Sequence, residues 1–178
     1  MQSLPTKPGI YALLLALPEA CSLQIGKIGD ATFPAGSYIY LGSALGPGGI
    51  HARLGRHISG STSHPYWHID YLRPFSTVIG ACYLVVEDAA CINEQFMLQQ
   101  TIPIECRWSQ AAASLPRADI PLPGFGSSDC HSGCAAHLVR LPNGIMPDSE
   151  TIQADISTLF VNTFAKAAGV SANDIMCL

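Results

Sequence analysis

Arg53 and His57 stand one helical turn apart on a segment whose apolar residues, Ile50, Leu54 and Ile58, fall on one face. Just upstream, Gly36 to Leu41 alternates, with Tyr38 and Tyr40 on one side and Ile39 and Leu41 on the other. That pattern predicts a half-buried strand. Between the two, Gly42 to Gly49 contains four glycines and a proline. The order is thus a strand bearing phenols, a glycine-rich turn, and the start of a helix carrying a guanidinium and an imidazole. The chemistry this suits is phosphate handling. A helix start with free N–H groups and a favourable dipole can hold an anion, an arginine can neutralise it, and a histidine can move a proton. Gly42, Ser43, Gly49 and Arg56 are the expected phosphate contacts around this turn.

Three motifs carry a resemblance: Gly9-Ile10-Tyr11, Tyr40-Leu41-Gly42, and Ile50-His51-Ala52-Arg53-Leu54-Gly55-Arg56-His57. Together and in this order, the chain resembles the GIY-YIG nuclease superfamily. The strings W-H-I-D-Y-L (67–72), E-C-R-W-S-Q (105–110) and G-F-G-S-S-D-C (124–130) are similar to one small branch of it. The resemblance implies a three-stranded sheet flanked by helices and a nuclease hydrolysing DNA phosphodiesters with one divalent ion, Mg2+ or Mn2+. On this reading Glu105 is the metal ligand, with Glu94 as its rival. Arg53 clamps the scissile phosphate, Tyr11 is the base, Tyr40 positions water or phosphate, and His57 is an optional proton-transfer partner. A phenol with a pKa of about 10 is a weak base at neutral pH unless cationic charge favours its ionised form. Leu41 replaces the usual Ile, and no superfamily Asn follows the Glu helix. The alternative is therefore a nucleic-acid-binding or interaction module that keeps the fold without turnover.

Three further groups offer chemistry. His64 to Leu72 is dense in aromatic and polar side chains. As a helix it would place Trp67 and Tyr71 on one face with His64 and His68, so that His68 or Asp70 either supports the site or contacts substrate. Cys130, Cys134 and His137, spaced C-x3-C-x2-H, suit zinc with His131 as a fourth ligand. The same residues also read as a Cys130 nucleophile beside His137, or as a rigid Gly/Ser turn capped by Asp129.

The formal charge is −4, which argues against indiscriminate grip on duplex DNA, but it is uneven. Residues 1–75 hold five Lys and Arg against three Asp and Glu, whereas the remainder holds four against ten. The motif-bearing half is the mildly basic one, and it predicts weak, local phosphate contact. Seven scattered cysteines do not form a full disulfide framework and fit a reducing cytoplasm. The apolar run Ile10 to Leu17 is too short to span a bilayer. Pro8-Gly9 and a single Lys make it a poor secretion signal, so no membrane partner is expected.

These side chains need a scaffold. The pattern predicts an α+β fold: Gly9–Leu17 as a continuous hydrophobic strand, Leu23–Ile25 as its hairpin partner, and Gly36–Leu41 as a third strand. A helix follows at 50–58, an added strand at Ser76–Val86, a short helix at Glu94–Gln100 and a helix from Glu105 through Leu115. On the resemblance, residues 1–142 are expected to form a GIY-YIG-like domain. Residues 143–178 are an extension whose helix, striped by Ile152, Ile156, Leu159, Phe160, Phe164 and Ala167, docks on that domain or makes a dimer contact.

Overall fold

Gly9–Leu17 forms β1, and all nine of its residues are buried. A strand reads as continuously hydrophobic when both faces are covered and both edges are paired. The computed structural model, which describes residues 3–60, 64–86, 102–141 and 150–178, shows both conditions met. On its edges, β1 pairs antiparallel with β4 (Gly36–Ala44) and with β5 (Thr77–Val85). Two short strands extend the sheet, β6 (Leu138–Leu141) on β4 and β7 (Ile175–Cys177) on β5, giving the order β6-β4-β1-β5-β7.

The expected three-stranded sheet is therefore five-stranded. The expected hairpin partner of β1 is also reassigned. β2 (Cys21–Ile25) pairs with β3 (Gly29–Phe33) as a separate two-stranded ribbon, because β4 and β5 already fill both edges of β1. Gly26 and Gly29 take positive φ at the tip of this ribbon, the conformation a tight loop there requires.

Side chains alternate across the sheet and build two apolar layers. One face carries Ala12, Leu14, Ile39 and Leu41, covered by α3 (Ile104–Ala113) and α4 (Glu150–Ala168) through Trp108, Phe160 and Phe164. The opposite face carries Tyr11, Leu13, Tyr38 and Tyr40. It is covered by α1 (Gly49–Ser59), α2 (His68–Leu72) and the ribbon through Ile50, Leu54, Ile69, Ile25 and Phe33. The alternation expected for β4 is present, but both of its faces are buried rather than one.

The stripe of α4 is partly as expected. Phe160 and Phe164 are buried and the Trp108 and Phe164 rings stack at 4.6 Å, whereas Leu159 is exposed. The side chains of Ile152 and Ile156 lie outside the described residues, as do Glu94 and the expected helix at 94–100. Cys82 and Cys177, directly paired across β5 and β7, form a disulfide, and Cys21, Cys106, Cys130 and Cys134 are free. No helix among the described residues is long and apolar enough to cross a membrane.

Candidate active site and the adjoining thiol cluster

Tyr11 and Gly42 are direct cross-strand partners on β1 and β4. A Cβ on Gly42 would stand 2.5 Å from the Tyr11 ring, so the phenol can lie flat over that position only because it is glycine. The ring then reaches α1, where the Tyr11 hydroxyl is 2.9 Å from His57 Nδ1. On the other side of that imidazole, Arg56 Nη2 is 2.9 Å from Nε2. A guanidinium only donates, so Nε2 accepts and the neutral ring carries its proton on Nδ1, donating to the Tyr11 oxygen. Burial, reinforced by the Arg56 charge, pushes the His57 pKa down to about 3 and keeps the ring neutral.

The chain continues outward. Arg56 Nη1 is 3.3 Å from Asp70 Oδ2, and that oxygen also accepts from the Tyr66 and Trp67 amides at 3.1 and 2.9 Å. Asp70 thereby caps α2 and anchors Arg56. The expected helix over 64–72 is confined to 68–72, and Trp67 lies before it, under the Arg53 guanidinium at 4.2 Å. The Arg53 charge lies close enough to Tyr11 and Tyr40 to favour their ionised forms. Both phenols are nevertheless pushed upward. Burial is the largest cause for each, and it outweighs the stabilising Arg53 charge.

Arg53, Tyr40 and Ser43 share a cleft of about 230 Å³ with Glu105 and His137. Glu105 sits in the first turn of α3, and its Oε1 lies 3.2 Å from His137 Nδ1, within ion-pair range but outside hydrogen-bond geometry. The structure thus gathers Tyr40, Arg53 and Glu105 on one cleft, with Tyr11 and His57 buried directly behind Arg53.

Other expected contacts are placed differently. The amides at the start of α1 are spent on main-chain carbonyls: Ile50 donates to Lys7, His51 to Pro5 and Ala52 to Gly48. That helix end is therefore filled, and the phosphate expected there has no free N–H groups to bind. Gly49 is buried against the Lys7 carbonyl, and Gly42 lies beneath Tyr11. Arg56 is committed to His57 and Asp70. His68 accepts the Gly126 amide on Nδ1 at 2.9 Å and packs on Phe125, so it positions the 121–137 loop.

That loop brings a second group to the cleft wall. Cys130, Cys134 and His137 meet Cys106 of α3, their donor atoms all within 4.8 Å of one another. Cys106 Sγ is 3.5 Å from Cys130 Sγ and 3.9 Å from His137 Nε2. The expected fourth member, His131, lines the cleft but is not in this group. Sequence spacing could not supply Cys106, which precedes Cys130 by 24 residues and sits on a different element. Its only signal was its place directly after Glu105. Trp67, as the support of Arg53, was likewise not foreseen.

The chain belongs to the family described as Domain of unknown function DUF123, which matches residues 10–159. No curated protein and no solved structure matches the chain.

Proposed function

We propose that this protein is a nuclease of GIY-YIG type that hydrolyses phosphodiester bonds in DNA with the help of one hard divalent ion. The observation that carries the reading is the meeting of Arg53 and Glu105 on the walls of a single cleft, from chain segments 52 residues apart on opposite sides of the sheet.

Arg53 faces the non-bridging oxygens of the phosphate, and Trp67 holds its plane through cation–π contact. Tyr40 offers its hydroxyl to the attacking water. Tyr11 stands behind it, receiving a hydrogen bond from His57 Nδ1 and feeling the Arg53 charge. Because burial holds both tyrosines as phenols, Tyr40 orients water by hydrogen bonding and Tyr11 supports the site from behind, in place of the base role expected for Tyr11. Tyr66, exposed and edge-on to Trp67 at 4.9 Å, extends an aromatic surface from the cleft on which a base can stack.

The donor set fits Mg2+ or Mn2+. Glu105 turns one oxygen toward His137 and leaves the other for an ion, and Asp129 lies on the same cleft. Bound there, the ion would supply Lewis-acid stabilisation of the phosphate and activation of water.

The test is cleavage of a panel of labelled single-stranded, branched and duplex DNAs with Mg2+, comparing wild type with Glu105→Gln and Arg53→Ala. Loss of cleavage in both variants with DNA binding retained in Glu105→Gln is the expected result. Cleavage surviving both substitutions overturns the assignment. DNA binding by wild type without cleavage of any substrate supports the non-catalytic module instead.

A further inference from the structure

We propose that Cys106, Cys130, Cys134 and His137 are the four ligands of a structural zinc ion. This ion pins the 121–137 loop to α3 and, through His137, sets the orientation of Glu105. The statement about Glu105 rests on the cleft reading above; the metal site does not.

Three thiols and an imidazole make a soft donor set that suits zinc and does not suit magnesium. Tetrahedral zinc bonded at about 2.3 Å to sulfur and about 2.0 Å to nitrogen places sulfurs about 3.8 Å apart and sulfur and nitrogen about 3.5 Å apart. The separations of 3.5 Å between Cys106 and Cys130 and 3.9 Å between Cys106 and His137 sit on that scale. A Cys106–Cys130 disulfide would use only two of the four convergent donors.

The orientation of His137 agrees. Its Nε2 faces Cys106, while Nδ1 faces the Glu105 carboxylate at 3.2 Å. Nδ1 is buried and unpartnered, with the carboxylate within reach, and a carboxylate that closes on the far nitrogen fixes the tautomer and raises the basicity of a zinc-bound imidazole. On binding, each coordinating thiol gives up its proton to solvent and zinc takes the sulfur lone pair.

The loop also has need of such a tie. Residues 121–137 contain no helix or strand, yet Phe125 is buried against Tyr40 and Phe33. Main-chain bonds fold the loop back on itself, from Gly124 to Ala135 and from His137 to Phe125, both at 2.7 Å. Side-chain bonds then attach it to α2 through His68 and to α3 through Ser109, which donates to Ala136 at 2.5 Å. A metal between Cys106 and the loop's three ligands would close this assembly beside the cleft.

The experiment is metal analysis of the full chain purified under reducing, chelator-free conditions, with Co2+ exchange as a second reading. Wild type is expected to hold about one equivalent of zinc, and the cobalt form to show tetrahedral ligand-field bands with thiolate charge transfer. Cys106→Ser and Cys130→Ser should each lose most of the metal. Should the buried Cys106 variant fail to fold, Cys134→Ser, which changes a partly exposed thiol, should likewise lose most of the metal and the thiolate band with it. Glu105→Gln should keep its zinc. Cys130→Ser should lower Mg2+-dependent cleavage about 10-fold to 100-fold, as loss of a positioning shell does.

Wild type with less than about a tenth of an equivalent, an octahedral cobalt spectrum, a Cys106–Cys130 disulfide in metal-free protein, or full zinc in Cys106→Ser would each overturn the site. Zinc bound as described in a protein that cleaves nothing leaves the metal site standing and removes the nuclease reading alone.

Discussion

Arg53 is where positive charge, aromatic support and both phenols meet, so it should be intolerant of change. Arg53→Ala is expected to lower kcat/KM about 100-fold to 1,000-fold, the usual loss for one preorganised charge donor. Arg53→Lys should recover little, since an ammonium cannot reproduce a planar group stacked on Trp67. Steady-state kinetics on a cleaved DNA checks both. His57 yields a pH prediction. Its folded pKa of about 3 lies below the value of about 6.5 expected when unfolded, so it stabilises the fold above that value. This stability should drain away as pH falls from about 6.5 to about 3, at up to about 1.4 kcal/mol per pH unit. Urea denaturation across that range, with His57→Gln showing a flatter profile, is the measurement. The residue pattern exposed much of this site. Arg53, His57 and Tyr40 followed from strand and helix periodicity, and Tyr11 and Glu105 from resemblance. Cys106 and Trp67 were hidden because their partners come from other elements, and no local period records such a meeting.

At the scale of elements, the site depends on two strands approaching closely where Tyr11 crosses Gly42. Gly42→Ala should cost about 1–3 kcal/mol in stability, because the added methyl meets a rigid ring enclosed in the core. Denaturant midpoints will show it, and cleavage should fall with it as the phenol is displaced from His57. The long elements were legible: β1, β4, β5, α1 and α3 were all expected within a few residues. Their signals are strong because each is longer than the ambiguity of its ends. The pairing was not. Hydrophobic Leu23 and Ile25 fit a hairpin with β1 as well as they fit the ribbon with β3, and only competition from β4 and β5 decides between them. The filled start of α1 was equally invisible, since Pro5 and Lys7 act there through their carbonyls and any residue type carries one.

The whole molecule is a sheet buried between two layers, and its C-terminal helix belongs to one of them. Phe164→Ala should destabilise the full chain by about 3–5 kcal/mol, because it empties the space against Trp108 and Phe160. A single cooperative urea transition with a lowered midpoint is expected, and an unchanged midpoint would mean that α4 adds nothing to the core. β6 and β7 escaped the sequence reading because strands of four and three residues carry too few positions to display a period. Their brevity has a consequence of its own. The outer side of β6 is already engaged, as Arg140 and Asp119 exchange both main-chain bonds and an ion pair at 2.9 Å. On the opposite border, β7 spans only three residues. Among the described residues, neither β6 nor β7 offers a long row of vacant amides on which a neighbouring molecule's strand could zip. The two outermost strands described for the five-stranded sheet are thus kept too short or too occupied to template pairing, without relying on surface charge.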